Sequence, residues 1–307
     1  MKWTTDDIPA QTGKIAIVTG ASAGIGRATT TILASKGAEV VLAVRNAAKG
    51  EGVVEAIQSR LPDAKLRVMA LDLSKLSSAR SFSAEFLATF DRLDILVNNA
   101  GIYDGGDKTT AEGFALQMGV NHFGHFALTG LLLGRLLSTP QSRVVTVSSG
   151  AYRGGKIDLS RFHTVEAAKK GGYGNSKLAN MLFALELQSK LAINNTNILS
   201  VSAGPGATKS DGAKQGIQSI SNRFMRRAVD ALTDVLMVSS EVGAMPIVRA
   251  ATDPHAKGGD YFVPSGFMGM RGGPVGKEPK LSAEQEALLQ GFWEKSAELT
   301  GIDYDVL

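Results

Sequence analysis

The chain has 307 residues, of which 44% are hydrophobic and 20% are charged, proportions that are ordinary for a globular protein. Its net charge of +4 arises from lysines and arginines spread along the chain, which favours a solvated surface or a pocket for an anionic cofactor over a nucleic-acid groove. The absence of cysteine excludes disulfides, thiolate metal sites and a cysteine nucleophile, and it is compatible with a reducing compartment.

The first residues, MKWTTDDIPAQTGK, carry acidic side chains and no apolar core, unlike a secretory signal. We interpret residues 1–12 as an N-terminal extension. No apolar run approaches the roughly 18 residues that a membrane-spanning helix needs. These features predict a cytoplasmic protein without a transmembrane segment.

Short β-branched apolar runs alternate with longer segments of helical period along the chain. In chain order, the predictions are strand 14–20, helix 26–37, strand 38–45, helix 46–60, strand 66–73, helix 77–90, strand 94–101, a long helical stretch ending near 138, strand 143–150, helix 172–191, strand 197–206 and strand 260–266. Apolar runs without alternation are typical of parallel strands buried on both faces. The pattern predicts an α/β fold with a Rossmann-type, doubly wound parallel sheet of about seven strands and helices on both faces.

No linker divides the sequence, so residues 1–307 are predicted to form a single domain. Residues 207–240 are interpreted as a substrate lid. Residues 266–307 are interpreted as a C-terminal extension in which the glycine-rich stretch 266–276 is an irregular loop and the apolar spacing over 282–299 indicates a helix. That helix is expected to cover the core or a partner subunit.

The motif TGASAGIG (19–26) lies where the first strand turns into the first helix. Its glycines let the backbone turn tightly and let a pyrophosphate approach, while the helix N-terminus offers free N–H groups. The spacing differs from the G-x-G-x-x-G pattern, and a glycine-rich turn without a ligand is the alternative reading. The position between strand and helix favours nucleotide binding.

Arg45 and Asn46 follow the second strand, where an NAD site usually places a carboxylate for the ribose hydroxyls. An arginine there can hold the 2′-phosphate of NADP with two hydrogen bonds. Arg27 is a second candidate nearby, and a solvated strand end is the alternative for Arg45. The sequence therefore predicts NADP(H) as the cofactor.

Polar or small residues also end the next strands. Asp72 and Leu73 follow the third strand, and Asp72 could bind the adenine amino group or cap the following helix. Asn98 to Gly101 end the fourth strand, where small residues would allow a cofactor close to the backbone. Ser148 and Ser149 end the fifth strand. All of them lie at the sheet edge where ligands bind in this architecture.

The stretch YGNSK places Tyr173 and Lys177 four residues apart, on one face of the predicted helix. Such a pair can be a proton donor with its activating cation, or two side chains that merely share a helix face. The motifs at the same sheet edge favour the first interpretation.

Taken together, TGASAGIG, NNAG, VNHFGHF, VSS, YGNSK and PG (205–206) resemble the motifs of the short-chain dehydrogenase/reductase family, in the family's order. The stretches VVLAVRN, NHFGHFALTGLLL, RVVTVSS and YGNSKLANMLF are similar to the retinol-dehydrogenase-like branch. The resemblance implies a catalytic tetrad of Asn121, Ser149, Tyr173 and Lys177.

In that tetrad, Tyr173 would donate the proton and Ser149 would bind the substrate oxygen. Lys177 would lower the pKa of Tyr173 and hold the nicotinamide ribose, and Asn121 would position a water. The implied cofactor-binding residues are Gly20, Ser22, Ala23, Gly24, Ile25, Gly26, Arg45, Asn46, Asp72, Leu73, Asn99, Ala100, Gly101, Tyr173, Lys177, Pro205, Gly206, Thr208 and Ser210. Tyr103, Tyr152 and the insert 150–172 are expected to line the substrate pocket with the lid.

The expected activity is NADPH-dependent reduction of an aldehyde or ketone, or the reverse alcohol oxidation, on a small-molecule substrate. Two alternatives stay open: an NADPH-binding redox sensor without turnover, and an epimerase or dehydratase of the family's extended branch. His122 and His125 are spaced for metal ligation, but no carboxylate has matching spacing, so no metal is expected. A homodimer or homotetramer paired through helices within 109–138 and 172–191 is the pattern that the family implies, and no nucleic-acid partner is expected.

Overall fold

The computed structural model describes residues 3–206, 238–266, 269 and 271–305. In that part of the chain, one eight-stranded sheet has the order β3-β2-β1-β4-β5-β6-β7-β8. The strands are β1 (Ile15–Thr19), β2 (Glu39–Val44), β3 (Leu66–Ala70), β4 (Ile95–Asn98), β5 (Arg143–Val147), β6 (Leu199–Ala203), β7 (Tyr261–Pro264) and β8 (Pro274–Lys277). All neighbours are parallel except β7 and β8. The predicted doubly wound fold is confirmed.

Helices connect the strands and cover both faces of the sheet. They are α1 (Gly24–Ser35), α2 (Ala47–Gln58), α3 (Leu76–Thr89), α4 (Leu116–Met118), α5 (Gly124–Ser138), α6 (Val165–Lys169), α7 (Gly172–Ile193), α8 (Ser240–Thr252), α9 (Ala283–Glu286) and α10 (Leu289–Thr300). One apolar cluster joins the sheet to α1, α2 and α8, and a second joins it to α3, α5, α7 and α10. Among the helices that the structure describes, none is long and apolar enough to cross a membrane.

Two elements differ from the predictions. The long helix after β4 begins only at Leu116, because residues 102–115 contain glycines at positive φ, Gly106 (+53°) and Gly113 (+85°), which break a helix. The predicted loop 266–276 contains most of β8, which pairs antiparallel with β7 at the sheet edge. The first residue of β8 is Pro274. An edge strand tolerates proline because the backbone groups on its outer side have no strand to hydrogen-bond with.

The predicted C-terminal helix is present as α9 and α10, and it covers the groove between α5 and α7. Trp293 stacks on Phe183 with ring centroids 5.8 Å apart and packs edge-on against Phe126 at 5.1 Å. The Tyr304 hydroxyl donates a 2.7 Å hydrogen bond to the Phe126 carbonyl. The chain's own C-terminal segment therefore occupies a face of the two helices through which subunit pairing was expected.

A π-helical turn, Gly119–Phe123, joins α4 to α5. The Gly124 N–H donates to the Gly119 carbonyl, five residues back, instead of to the carbonyl four residues back. Such widened turns often occur at functional sites because they redirect the side chains they contain. Asn121 lies at the centre of this one.

Candidate active site

The glycine-rich turn between β1 and α1 leaves almost no space next to its backbone. Gly20 adopts φ +66°, and a Cβ there would lie 2.9 Å from Ala100 Cα. A Cβ on Gly26 would lie 2.6 Å from Asn99 Nδ2. Only glycine fits at these two positions, and the N-terminus of α1 points out of the turn. The Gly20 N–H donates to the Ala43 carbonyl at 2.9 Å, whereas nothing lies within 4 Å of the Cβ position of Gly24. The open part of the turn is therefore the start of α1, formed by Ser22, Ala23, Gly24 and Ile25, where helix N–H groups can bind a pyrophosphate.

Arg45 and Asn46 lie at the same edge, because Ala43 pairs with Thr19 across β1 and β2. Arg45 directly follows β2, and its side chain is exposed. The Asn46 side-chain oxygen accepts a 3.0 Å hydrogen bond from the Lys49 N–H and so caps α2. Arg45 is therefore an exposed cation at the end of β2, and Lys49 in α2 is a second one at this corner.

Asp72 and Leu73 follow β3 at the next position along the edge. The Asp72 carboxylate accepts hydrogen bonds from the Ser74 hydroxyl at 2.6 Å and the Ser74 N–H at 3.1 Å. It therefore fixes the turn that leads into α3 but does not cap that helix, whose N-cap residue is Lys75 and which has no side-chain cap. Leu73 is buried against Gly124.

Tyr173 and Ser149 meet at the carboxyl end of β5. The Ser149 hydroxyl hydrogen-bonds the Tyr173 phenol. The Ser148 hydroxyl points the other way and donates to the Lys177 carbonyl at 2.8 Å. Strand alternation thus places only Ser149 at the site, as the sequence suggests.

Lys177 lies one helical turn beyond Tyr173 and is buried. Its Nζ donates to the Val147 carbonyl at 3.0 Å and lies 5.7 Å from the centre of the Tyr173 ring. Burial lowers the pKa of Lys177 to about 8. At neutral pH the ammonium form still predominates, so the site retains a positive charge beneath the phenol.

The pKa of Tyr173 differs from the expectation. Burial raises the pKa of this phenol above its usual value, the hydrogen bond from Ser149 partly opposes that shift, and Tyr103 adds to it. Lys177 does not reverse the effect, because its charge lies below the ring and not beside the hydroxyl. Tyr173 is therefore a neutral phenol at neutral pH, which is the form that can donate a proton.

Asn121 uses its side chain to hold the polypeptide around the site. Its Oδ1 accepts from the Ile102 N–H at 2.8 Å, and its Nδ2 donates to the Ile102 carbonyl and to the Ser176 hydroxyl, both at 3.0 Å. These contacts link the π-helical turn to the segment after β4 and to α7. Asn121 therefore acts on the site through Ile102 and Ser176.

The segment after β4 brings Asn99, Ala100, Gly101 and Tyr103 to the site. Gly101 lies beside Lys177, since a Cβ there would be 3.6 Å from Lys177 Nζ. The Tyr103 ring packs on the Tyr173 ring with centroids 4.8 Å apart, and Tyr103 is 56% exposed. Gln117 fixes this arrangement by donating to the Tyr103 carbonyl. Tyr103 thus forms an exposed aromatic wall next to the phenol.

The prediction that Tyr152 lines the substrate pocket is not supported. Its side chain is fully buried, and its hydroxyl exchanges hydrogen bonds with the backbone of Lys280, both at 3.1 Å. Gln285 also donates to the Tyr152 carbonyl at 3.2 Å. Tyr152 instead attaches the insert after β5 to the C-terminal extension.

Tyr261, in β7, is a candidate site residue that the sequence motifs do not indicate. Its side chain is 1% exposed, and its hydroxyl lies directly over Gly204, the residue before Pro205. Burial raises the pKa of Tyr261, the nearby Tyr152 and Tyr173 phenols add to that shift, and Arg153 opposes it. The hydroxyl has no hydrogen-bond partner in the described ranges. The sequence signals this residue only by the hydroxyl group of Tyr261 in an otherwise apolar strand.

Pro205 and Gly206 follow β6 at the same edge, with Gly206 at φ +75°. Thr208 and Ser210 lie outside the described residues, as do residues 207–237 of the expected lid over 207–240. The two histidines of NHFGHF are buried: His122 bonds to Ser296 at 3.0 Å, and His125 bonds to Thr19 at 2.9 Å.

The chain is similar in sequence and in fold to known dehydrogenases. The family model described as short chain dehydrogenase matches residues 14–219. Human retinol dehydrogenase 13 is 34% identical over 295 residues, covering 95% of this chain and 86% of that protein. Mouse polyprenol dehydrogenase is 35% identical over 301 residues, covering 96% of this chain and 86% of that protein. A crystal structure of an uncharacterized Mycobacterium paratuberculosis protein matches with a TM-score of 0.77, 30% identity and 99% of each chain.

Proposed function

Because the chain belongs to the short-chain dehydrogenase family and is an oxidoreductase of its retinol-dehydrogenase-like branch, we propose that it interconverts a carbonyl and an alcohol with NADP(H). The turn from Gly20 to Gly26 fits a dinucleotide, because Gly20 and Gly26 let it pack closely on Ala100 and Asn99 while nothing lies within 4 Å of the Cβ position of Gly24, at the start of α1. When bound, NADPH would supply the hydride. The proposed substrate is a small aldehyde or ketone, or the corresponding alcohol.

The observation that carries this proposal is the group of Ser149, Tyr173 and Lys177 at one point of the sheet edge. As a carbonyl carbon accepts a hydride, its oxygen gains a negative charge and must be protonated. Tyr173 is a neutral phenol and can give that proton to the oxygen, becoming tyrosinate. The Ser149 hydroxyl would hydrogen-bond the same oxygen, and the Lys177 charge, 5.7 Å from the centre of the ring, would stabilise the tyrosinate once it forms.

We further propose that Arg45 selects NADPH over NADH by binding the 2′-phosphate. Arg45→Gln is expected to lower the ratio of NADH to NADPH dissociation constants about 10- to 100-fold, the range typical of a charged hydrogen bond. Titration of each cofactor by fluorescence measures the ratio. The control is Lys49→Gln, which removes an exposed cation from the same corner without the forked geometry and should change the ratio little. An unchanged ratio in Arg45→Gln would show that another group reads the phosphate.

Two alternatives predict different results in a turnover assay. A redox sensor would bind NADPH and oxidise none of it with any aldehyde, ketone or quinone in a broad panel. An epimerase or dehydratase would convert a nucleotide sugar without net NADPH oxidation. The proposal requires steady NADPH oxidation with at least one carbonyl compound, in proportion to the alcohol formed.

We propose that Tyr261 contacts the substrate through its hydroxyl, which, unlike the Tyr152 hydroxyl bonded to Lys280, has no hydrogen-bond partner in the described residues. Tyr261→Phe should raise the substrate KM about 3- to 10-fold, the size of one hydrogen bond, while leaving the NADPH Kd unchanged. The melting temperature should not fall, because the lost hydroxyl has no partner in the described residues. The control is Tyr152→Phe, in which a hydroxyl bonded to Lys280 is lost, and which should destabilise the protein by about 1 kcal/mol. A wild-type KM in Tyr261→Phe would remove Tyr261 from the site.

The cytoplasmic location belongs to the same proposal and can be checked by cell fractionation. For the assembly, the cover that α10 places over α5 and α7 favours a form that does not pair through that face. Light scattering coupled to size-exclusion chromatography would measure the mass in solution.

A further inference from the structure

His125 lies in the core between the end of β1 and the π-helical turn, and it is 1% exposed. Its Nε2 is 2.9 Å from the Thr19 hydroxyl, and its Nδ1 is 3.0 Å from the Asn121 carbonyl. Both ring nitrogens are therefore engaged, each with a different element. One partner belongs to the glycine-rich turn and the other to the turn that holds Asn121.

The two partners determine the protonation of the ring. The Asn121 carbonyl can only accept, so His125 Nδ1 must carry the proton. Burial lowers the pKa of His125 to about 4, so the ring is neutral and its Nε2 is an acceptor. Nε2 then accepts from the Thr19 O–H at 2.9 Å, a shorter contact than the 3.3 Å from the same hydroxyl to the Val97 carbonyl. The Thr19 oxygen in turn accepts from two N–H donors.

Those two donors connect Thr19 to the proposed cofactor site. The N–H groups of Asn99 and Ala100 each donate to Thr19 Oγ1 at 2.9 Å, and Asn99 Nδ2 donates to the Thr19 carbonyl at 2.8 Å. Thr19 is the residue before Gly20. Its hydroxyl thus holds the ends of β1 and β4 together directly beneath the glycine-rich turn.

The other side of the ring leads to the catalytic side chains. The Asn121 amide binds the Ile102 backbone and the Ser176 hydroxyl. Ile102 precedes Tyr103, which packs on Tyr173, and Ser176 precedes Lys177. A shift of the Asn121 backbone would therefore move the groups that surround the phenol.

We propose that His125 is a positioning residue that couples the cofactor-binding turn, through Thr19, to the Tyr173 and Lys177 pair, through Asn121. This inference rests on the proposed function for its catalytic half. The link from His125 through Thr19 to the cofactor-binding turn concerns NADPH binding alone and can be tested even if the protein shows no turnover.

The neighbouring His122 gives a matched control. It is equally buried, and its Nε2 bonds to Ser296 on α10, within a shell of aromatic rings that includes Phe123 and Phe292. None of these partners belongs to the site. His122→Asn should therefore lower stability without separating cofactor binding from catalysis.

Two substitutions of His125 separate its two hydrogen bonds. His125→Asn places an amide N–H near the position of Nδ1 and retains the bond to the Asn121 carbonyl. His125→Gln reaches the position of Nε2 and retains an acceptor for Thr19. We expect His125→Asn to raise the NADPH Kd about tenfold, the effect of losing one hydrogen bond, and to leave kcat within about threefold of wild type. We expect His125→Gln to lower kcat about tenfold with a nearly unchanged Kd.

Fluorescence titration gives the NADPH Kd, steady-state kinetics gives kcat, and thermal unfolding reports on the fold. The proposal is supported by opposite effects of the two variants at similar melting temperatures. It is overturned if both variants lose binding and turnover in the same proportion, as His122→Asn would if it merely loosened the core. If the wild type itself shows no turnover, the proposed function fails, and a weakened Kd confined to His125→Asn would still support the link through Thr19.

Discussion

Replacing Tyr173 with phenylalanine is expected to lower kcat about 10²- to 10⁴-fold, the contribution typical of a positioned general acid, while NADPH still binds. The substitution removes only the phenolic hydroxyl and keeps the ring that packs against Tyr103 at 4.8 Å. The new alkoxide would then have to take its proton from water, in a site that burial has made partly dry. Rapid-mixing and steady-state measurements of NADPH oxidation, with NADPH binding measured separately, check this expectation.

The matched control is Tyr103→Phe. It removes a hydroxyl from the neighbouring ring, which is 56% exposed, and it leaves Ser149 and Lys177 in place. We expect this variant to retain kcat within a few-fold of the wild-type value. If Tyr173→Phe kept a kcat within tenfold of wild type, Tyr173 could not be the proton donor, and the group of Ser149 and Lys177 would need another partner.

Trp293→Ala is expected to have the largest effect on stability. Trp293 is 6% exposed and lies between Phe183, Phe126 and Tyr304, so its loss leaves a large cavity over α5 and α7. Truncation of a buried tryptophan typically costs about 3–5 kcal/mol of unfolding free energy. Chemical unfolding with urea, followed by fluorescence of the remaining tryptophan and by circular dichroism, measures the loss.

Lys295→Ala is the control within the same helix. The Lys295 ammonium pairs with the exposed Glu298 at 2.6 Å, and surface ion pairs of this kind contribute little. We expect its unfolding free energy to stay within about 0.5 kcal/mol of wild type. The Trp293→Ala protein should also self-associate more readily, because the apolar groove between α5 and α7 loses part of its cover. A Trp293→Ala protein as stable as the control would show that α10 does not anchor this face.

Several features of the fold and site could be predicted from the sequence because short-range physics determines them. The parallel strands were readable as unalternating apolar runs, and the site's edge followed from the position of the glycine turn and the strand ends. The resemblance to the family selects Ser149 over Ser148, and strand alternation allows only one of the two to face the site. Each of these residues lies close in sequence to the strand or helix that positions it.

Features that depend on distant partners could not be predicted. The pairing of β8 with β7 involves a glycine-rich segment whose composition resembles a loop. Tyr152 lies in the insert expected to line the pocket, but Lys280 and Gln285, more than a hundred residues away, draw it into the core. The pKa of Tyr173 depends on burial by the folded chain, which the Tyr–Lys spacing cannot reveal.

The proposed roles of His125 and Tyr261 also depend on partners that are far away in sequence. The spacing of His122 and His125 suggested either a metal site or packing, whereas the structure joins His125 to Thr19, across 106 positions of sequence. Tyr261 looked like one more residue of an apolar strand. The register of β6 and β7 places its hydroxyl over Gly204, a contact that the strand's own sequence does not contain.

The most direct test of the account is hydride transfer itself, followed with NADPH that carries deuterium at the transferable position. The protein is incubated with this cofactor and a panel of aldehydes and ketones, and the alcohols are analysed by mass spectrometry. We expect deuterium on the former carbonyl carbon of at least one product with wild-type protein, and at far lower yield with Tyr173→Phe. NADPH that binds tightly yet transfers no deuterium to any carbonyl carbon would rule out the proposed carbonyl reduction and would favour the sensor alternative.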